Sequence, residues 1–470
     1  MPAMASIPQA PPSAPTRSLS RMGWLDALRG YAALVVALYH LSPSVIGTGR
    51  HRAIHEYIDF GRYGVLVFFL VSGYVIPMSL ERHGSLRKFW VGRLFRIYPA
   101  YLATIAALAV ITYAGMHGLN PSLRKETVTG VLGHVTMLTD HLGLRGLAWP
   151  FWTLSYEMIF YLVVAGMFVL KLHRLSVWWA GGLALIAAVG ATRLPDDLLG
   201  GDFTTRRITA AVLLLVFTAS LAAYVSGRPA LVRAAAVAGL CFLALPLLNG
   251  HATSFSNAIS SSQAAQLVAV LFAGTVIYRL HHRQVAPWAG GVALAAVLFV
   301  SMGITWLNTA KSQHLISGSI TTLAVAVTFA AAFALRHRDV PRPLTWLGEV
   351  SYSLYLLHWV VLHVVLHYLT AAGWRGSAAG RAGIAVVFLV GTLVVAWACY
   401  RFVEIPGQTL GRDVMKRLDR SLGKDTGEPG RNAGTPPAAP PADPNGPTQV
   451  LPLVTPRVPA PAVVPAPGQM

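Results

Sequence analysis

Charge is what this chain has least of. Asp, Glu, Lys and Arg make up 12% of its 470 residues, about half the share of a soluble domain. Cysteine is almost missing too. Cys241 and Cys399 both fall inside apolar runs, which excludes a disulfide framework and offers no metal-ligand spacing. The first twenty residues are rich in Pro, Ala and Ser and lack an apolar core, so no cleavable signal peptide is expected. No internal repeat is visible. What remains is apolar: 54% of residues are hydrophobic and the mean hydropathy is +0.55. The composition predicts an all-α, polytopic transmembrane helical bundle.

About twelve apolar runs are long enough to count as spans, from 24–46 to 383–400, and the short ones leave the total at ten to twelve. The formal charge of +19 would suit nucleic acid, but the basic residues sit in short clusters rather than one stripe, so no nucleic-acid partner is expected. Those clusters, at 17–21, 82–96, 171–174, 228–233, 279–283, 336–342 and 401–420, occupy alternate connections and both termini. The positive-inside rule then makes that side, with both termini, cytoplasmic in a plasma (inner) membrane. Residues 1–22 read as a disordered lead, 23–410 as the membrane domain and 411–470 as a Pro/Ala-rich disordered tail. One long outer loop, 117–149, holds an apolar piece at 128–138 that is too short to span. It reads as interfacial or re-entrant, packed there rather than acting as a lid.

Ionisable groups at membrane depth mark functional sites by default. The first span carries Asp26, Arg29 and His40. Arg29 and His40 are eleven residues apart, which returns them to one helix face about 16 Å apart. Arg93 and Arg96, one turn apart in R-L-F-R-I-Y-P, begin the third span. Guanidinium forks of this kind hold phosphate oxygens; for that pair alone, snorkelling is the better explanation. Arg29, deeper and on the His40 face, tilts the reading towards a phosphorylated cytoplasmic ligand. Glu157, in W-T-L-S-Y-E-M-I-F-Y, is predicted about 9 Å below the outer surface, level with His40. A carboxylate beside an imidazole would make His40 a general base, or the two would simply tie helices together. His358, in S-Y-S-L-Y-L-L-H-W, either lines the same cavity or packs between helices. Ser72-Gly73 reads as a close helix contact.

Six motifs in order, L-D-A-L-R-G-Y-A-A-L-V-V-A-L-Y-H, F-F-L-V-S-G-Y, R-L-F-R-I-Y-P, W-T-L-S-Y-E-M-I-F-Y, L-G-E-V-S-Y-S-L-Y-L-L-H-W and Y-R-F-V-E-I-P, run from Leu25 to Pro406. The chain thereby resembles the acyltransferase-3 family of bacterial integral membrane proteins. The resemblance implies transfer of an acyl group, typically acetyl, from cytoplasmic acyl-CoA to a hydroxyl, with no bound cofactor. Implied acceptors are sugars of surface polysaccharide, lipopolysaccharide or peptidoglycan, lipid-linked or glycosylated carriers, or secondary metabolites such as macrolides. It carries the family's arginine and histidine onto Arg29 and His40, its paired arginines onto Arg93 and Arg96, its acidic position onto Glu157 and its later histidine onto His358. Val360 stands where the family often has proline. The expected roles are His40 and Glu157 as catalytic, and Arg29, Arg93, Arg96 and His358 as acyl-CoA-binding. The rival reading from the spans alone is a transporter or flippase. Oligomeric state and acceptor identity are not legible.

Overall fold

The computed structural model describes residues 22–423. The lead expected at 1–22 and most of the tail expected at 411–470 lie outside the described residues. Among the described residues there is no strand. Twelve long helices follow one another: α1 (Gly23–Val45), α2 (Phe60–His83), α3 (Leu86–Tyr113), α4 (Trp152–Val169), α5 (Ser176–Val189), α6 (Phe203–Ser226), α7 (Pro229–Cys241), α8 (Ser261–His281), α9 (Pro287–Thr309), α10 (Ser312–Ala334), α11 (Ser351–Ala371) and α12 (Ala378–Cys399). Eleven helical segments are long and apolar enough to cross a membrane. α1 is not among them, because Asp26, Arg29 and His40 lower its hydropathy, although it packs against α2 and α11.

Local chemistry sets the helix ends. Asp59 accepts the Arg62 amide at 2.9 Å to start α2, and Gly84, at φ 63°, turns the chain out of it. Ser85, Asp202, Ser260 and Ser377 cap α3, α6, α8 and α12 in the same way. α3 begins eleven residues before the apolar run that marks it in the sequence. The charged stretch R-K-F-W-V-G-R is therefore helical, which carries Arg93 and Arg96 well inside the helix. After α12 the chain passes through a π-turn, Tyr400–Glu404, into a final amphipathic helix, Ile405–Ser421. Helix thus continues past the boundary expected at residue 410.

Burial divides the bundle into core and ring. In their apolar windows α2 is 78% buried and α8 83%, whereas α6 and α10 are each 22% buried and present their side chains to lipid. The core crossing is a backbone contact: Gly73 of α2 lies directly on the Leu271 carbonyl of α8, and Gly274 on Leu70. Thr275 Oγ1 donates to the Gly73 carbonyl at 2.9 Å. Small residues permit this approach, and a methyl at either glycine would collide with backbone. At the other side of α1, Gly30 meets Leu347 and Gly348 of a short helix, Arg342–Glu349.

Two ends of the bundle can be told apart by what they tie together. At the basic end Arg279 pairs with Glu81 at 2.5 Å, and Arg87 bonds Asp419 at 3.1 Å. At the distal end the Asp59 amide donates to Thr321, and Gln313 donates to the Glu56 carbonyl.

The segment between α3 and α4 is re-entrant. Its helix Thr127–Thr136 ends beside the middle of α3, where Tyr98 donates to the Val135 carbonyl at 2.6 Å. Arg206 holds Glu126 through both carboxylate oxygens, at 2.6 to 3.1 Å, a buried pair with matched fork geometry. Asp140, fully buried, accepts the amide and the side chain of Asn257. This packed roof displaces the start of α4 inward. Ser72, twelve residues or about 18 Å down α2, bonds Glu157, which is only about 7.5 Å down α4. α4 therefore begins about 10 Å below the distal end of α2.

Candidate active site

Two polar cavities sit one above the other inside this frame. The lower one, towards the basic end, draws on five helices. α1 supplies Arg29, α2 supplies Phe68, Ser72 and Ile76, α3 supplies Arg93 and Arg96, and α4 supplies Glu157 and Tyr161; Ser351 and Tyr352 close it from α11. Arg29 is pinned by its helix contact with Gly348 and lies 3.7 Å from Asp26. The Arg93 guanidinium stands over the Phe89 and Tyr161 rings at 5.6 and 5.4 Å, a position that holds a cation away from water. Glu157 is the one carboxylate lining this cavity and takes a 2.6 Å hydrogen bond from Ser72. Three guanidinium groups thus line the cavity with one carboxylate, and Asp26 beside Arg29 offsets part of their charge in a low-dielectric setting. The free volume is about 30 Å³, room for one water-sized species. Glu404, buried and bonded by Ser353, adds negative charge within reach of Arg96.

The upper cavity is larger, about 220 Å³, and its wall is of another kind. Tyr39, Trp149, Trp152 and Tyr355 supply aromatic surface; Asp59, Arg62, Asn257 and Gln263 supply polar groups; His40 faces in. Arg62 is held by neutral partners, Thr305 at 3.2 Å and Gln266 at 3.0 Å. His40 stacks on the fully buried His358, with ring centroids 5.4 Å apart and planes 22° from parallel, and meets the edge of Trp359 at 5.1 Å. His40 has no hydrogen-bond partner among the described residues. Its ring nitrogens are open to the chamber.

A stacked pair of rings links the walls of the two cavities. Phe68 lines the lower and Tyr355 the upper, with centroids 5.8 Å apart and planes at 25°. Tyr355 is fixed by a hydrogen bond to the Pro150 carbonyl and by one shared with Thr153.

Of the residues singled out in the sequence, Arg29, Arg93, Arg96 and Glu157 meet in the lower cavity, and His40 and His358 meet at the upper one. The pairing of His40 with Glu157 is corrected by the structure. Equal depth was reckoned from helix ends, and the recessed start of α4 puts Glu157 with the arginines instead. His358 likewise stands behind His40 and lines neither cavity. Sequence reasoning missed Arg62, Asn257 and Gln263. The only signal is polarity at the start of α2 and in the stretch leading into α8. Ser72 does serve the close crossing, and it also bonds Glu157.

Comparison with known proteins was made against this geometry. A family model described as an acyltransferase domain matches residues 22–198 and 208–401. Nodulation protein 10 of Rhizobium leguminosarum bv. viciae is 24% identical over 83% of this chain and 95% of its own length. The exopolysaccharide production protein ExoZ of Rhizobium meliloti is 26% identical over 80% of this chain and 95% of its own. The peptidoglycan O-acetyltransferase OatA of Listeria monocytogenes is 24% identical over 81% of this chain, which spans 55% of that protein. No solved structure matches.

Proposed function

Since this chain belongs to the acyltransferase-3 family and is a multi-pass acyltransferase, we propose that it carries acetyl from acyl-CoA at the basic, cytoplasmic end to a sugar hydroxyl in the upper chamber. The observation that carries this reading is the division of labour along α1. Arg29 stands in a cavity lined by three guanidinium groups, and His40 stands about 16 Å away in a chamber walled by aromatic and amide groups.

Phosphates and clustered guanidinium groups suit each other, so Arg29, Arg93 and Arg96 hold the nucleotide end of the donor or the head of its pantetheine arm. Glu157 and Ser72 keep those guanidinium groups apart and aimed inward. The arm is an extended rod, and 16 Å is the distance it has to reach. At 30 Å³ the lower cavity is closed to it, so admission of the donor moves the Phe68–Tyr355 stack. The acceptor belongs to the upper chamber. Rings such as Trp149 and Trp152 cover the faces of a sugar, while Asp59, Arg62, Asn257 and Gln263 meet its hydroxyls. A volume of about 220 Å³ is on the scale of one sugar ring. That acceptor class agrees with what the names of ExoZ and OatA say of those proteins.

His40 then acts in one of two ways. As general base it takes the hydroxyl proton while the hydroxyl oxygen attacks the thioester carbonyl; the C–S bond breaks and the thiolate leaves towards the basic end. As nucleophile it accepts the acyl group on a ring nitrogen, expels the thiolate and passes the acyl group to the hydroxyl. His358 supports the ring from behind in both cases.

The test is transfer by purified protein in vesicles. Labelled acetyl-CoA and an oligosaccharide acceptor on opposite sides should yield labelled ester. A protein that moves the sugar without ester formation, or leaves acetyl-CoA intact, overturns the proposal. Label trapped on the protein without acceptor selects the covalent route.

A further inference from the structure

On the lipid side of the core, α9 and α10 touch near the distal end, where a Cβ at Gly318 would come within 2.5 Å of the Met302 carbonyl. Below that crossing they part, and a groove of about 490 Å³ runs between them onto α2 and α8. Leu66, Leu70, Ile277, Leu298 and Phe329 form its walls. Along α10 it runs from Thr322 to Phe333, eleven residues or about 16 Å. That is close to half of a hydrocarbon core about 30 Å thick, the depth of one leaflet. Ala330 is exposed and Leu298 half-buried, so the groove opens sideways to the membrane.

The basic-end rim is cationic. Phe333 closes the groove there, with the Arg336 guanidinium over its ring at 4.2 Å and His281 against its edge at 5.0 Å. Arg336 spends one donor on its own helix, Nη1 to the Phe333 carbonyl at 2.8 Å. Its Nε is buried with no partner among the described residues. No carboxylate among the described residues lies within ion-pair range of it; Glu81, at the same end, is taken by Arg279.

An apolar slot one leaflet deep, ending under an unpaired guanidinium at the headgroup level, fits one molecular class. We propose that the groove binds an anionic glycerophospholipid of the basic-end leaflet, with one acyl chain between α9 and α10 and its phosphate on Arg336. The occupant reaches the catalytic core mechanically. At the groove's distal end Gln266 donates to Ser301 at 2.6 Å and accepts from Arg62. Thr305 of α9 and Thr321 of α10 hold Arg62 and the Asp59 amide. Filling the slot braces the two helices that position the wall of the upper chamber. Only this last consequence rests on the proposed function; lipid binding does not.

The full chain, purified in mild detergent and exchanged into phosphatidylglycerol or phosphatidylcholine, tests it by native mass spectrometry. Wild type should retain phosphatidylglycerol about fivefold better. Arg336→Ala should remove the preference and Arg336→Lys keep it. Ala330→Trp, which fills the groove, should abolish retention of both lipids while the thermal melt stays cooperative; Leu298→Trp on the facing wall serves if that variant fails to fold. Equal retention of the two lipids by wild type, or retention untouched by Arg336→Ala and by the groove-filling variant, overturns the proposal.

Discussion

The two polar cavities share α1, α2, α4 and α11 and differ in almost everything else. The lower is about 30 Å³, lined by three arginines and one carboxylate. The upper is about 220 Å³, lined by four aromatic residues with two amides, one acid and one arginine. In the first, recognition rests on charge held at fixed positions in low dielectric, which suits a phosphorylated ligand of invariant chemistry. In the second it rests on shape and hydrogen bonds spread over many groups, which suits sugars, where specificity lies in hydroxyl positions. Two substrates of unlike character can therefore be served by one bundle without either site degrading the other.

Substitutions that act on one cavity alone test that division. The largest effect is expected at the boundary: His40→Ala should lower acyl transfer by about 10² to 10⁴ and leave acyl-CoA binding intact. A variant with near-normal turnover would remove His40 from the chemistry. Arg29→Ala should weaken acyl-CoA binding about tenfold to a hundredfold, the loss of one charge-assisted hydrogen bond, with the acceptor KM unchanged. Calorimetric titration with acyl-CoA reads this directly, and equal affinity would break the assignment of the lower cavity to the donor. Trp152→Ala should do the converse, raising acceptor KM about tenfold while the donor binds normally.

Glu157→Gln sharpens the contrast further. Gln still accepts the Ser72 hydrogen bond but removes one negative charge from among the arginines. Acyl-CoA should then bind about fivefold tighter, near 1 kcal/mol. Were Glu157 the partner of His40, turnover would collapse instead.

The smallest effect lies at the rim of the upper chamber. His55 is paired with Asp59 at 3.3 Å. The hydrogen bond to Asp59 raises the His55 pKa. Burial alone would push the Asp59 carboxyl up, but hydrogen bonds from His55 and the Arg62 amide bring it below its ordinary value. The histidine part of this clip is fully present below about pH 6.5 and fades as pH rises through the elevated His55 value. The carboxylate part is present above about pH 4 and fades below it. Since His55 is partly exposed, the whole is worth less than about 1 kcal/mol. The protection factors of amides in the helix Thr48–His55, corrected for the intrinsic pH dependence of exchange, should fall modestly from pH 6 to pH 8, and His55→Ala should remove that fall.

Much of this was legible in the residues. Hydropathy locates the long helices, and the cost of burying Arg29, His40 and Glu157 singles them out as candidates from the residues alone. What stayed hidden depends on how deep each helix begins. Glu157 was measured from the start of its own helix, yet the roof built on Glu126–Arg206 and Asp140–Asn257 sinks that start by about 10 Å. Arg62 comes from the start of α2, and Asn257 and Gln263 from the entry to α8; they converge only in the folded bundle, where no local pattern announces them.

That sunken helix start carries a further meaning. Covering α4 with a plug of ordered chain, rather than extending it to the surface, thins the insulating layer over the catalytic centre. The arginine-lined cavity and the aromatic chamber are thereby drawn close together along α1, about 16 Å from Arg29 to His40. Phe68 and Tyr355 stack across that short interval, and the hydrogen bonds of the tyrosine couple the stack to the chain that enters α4.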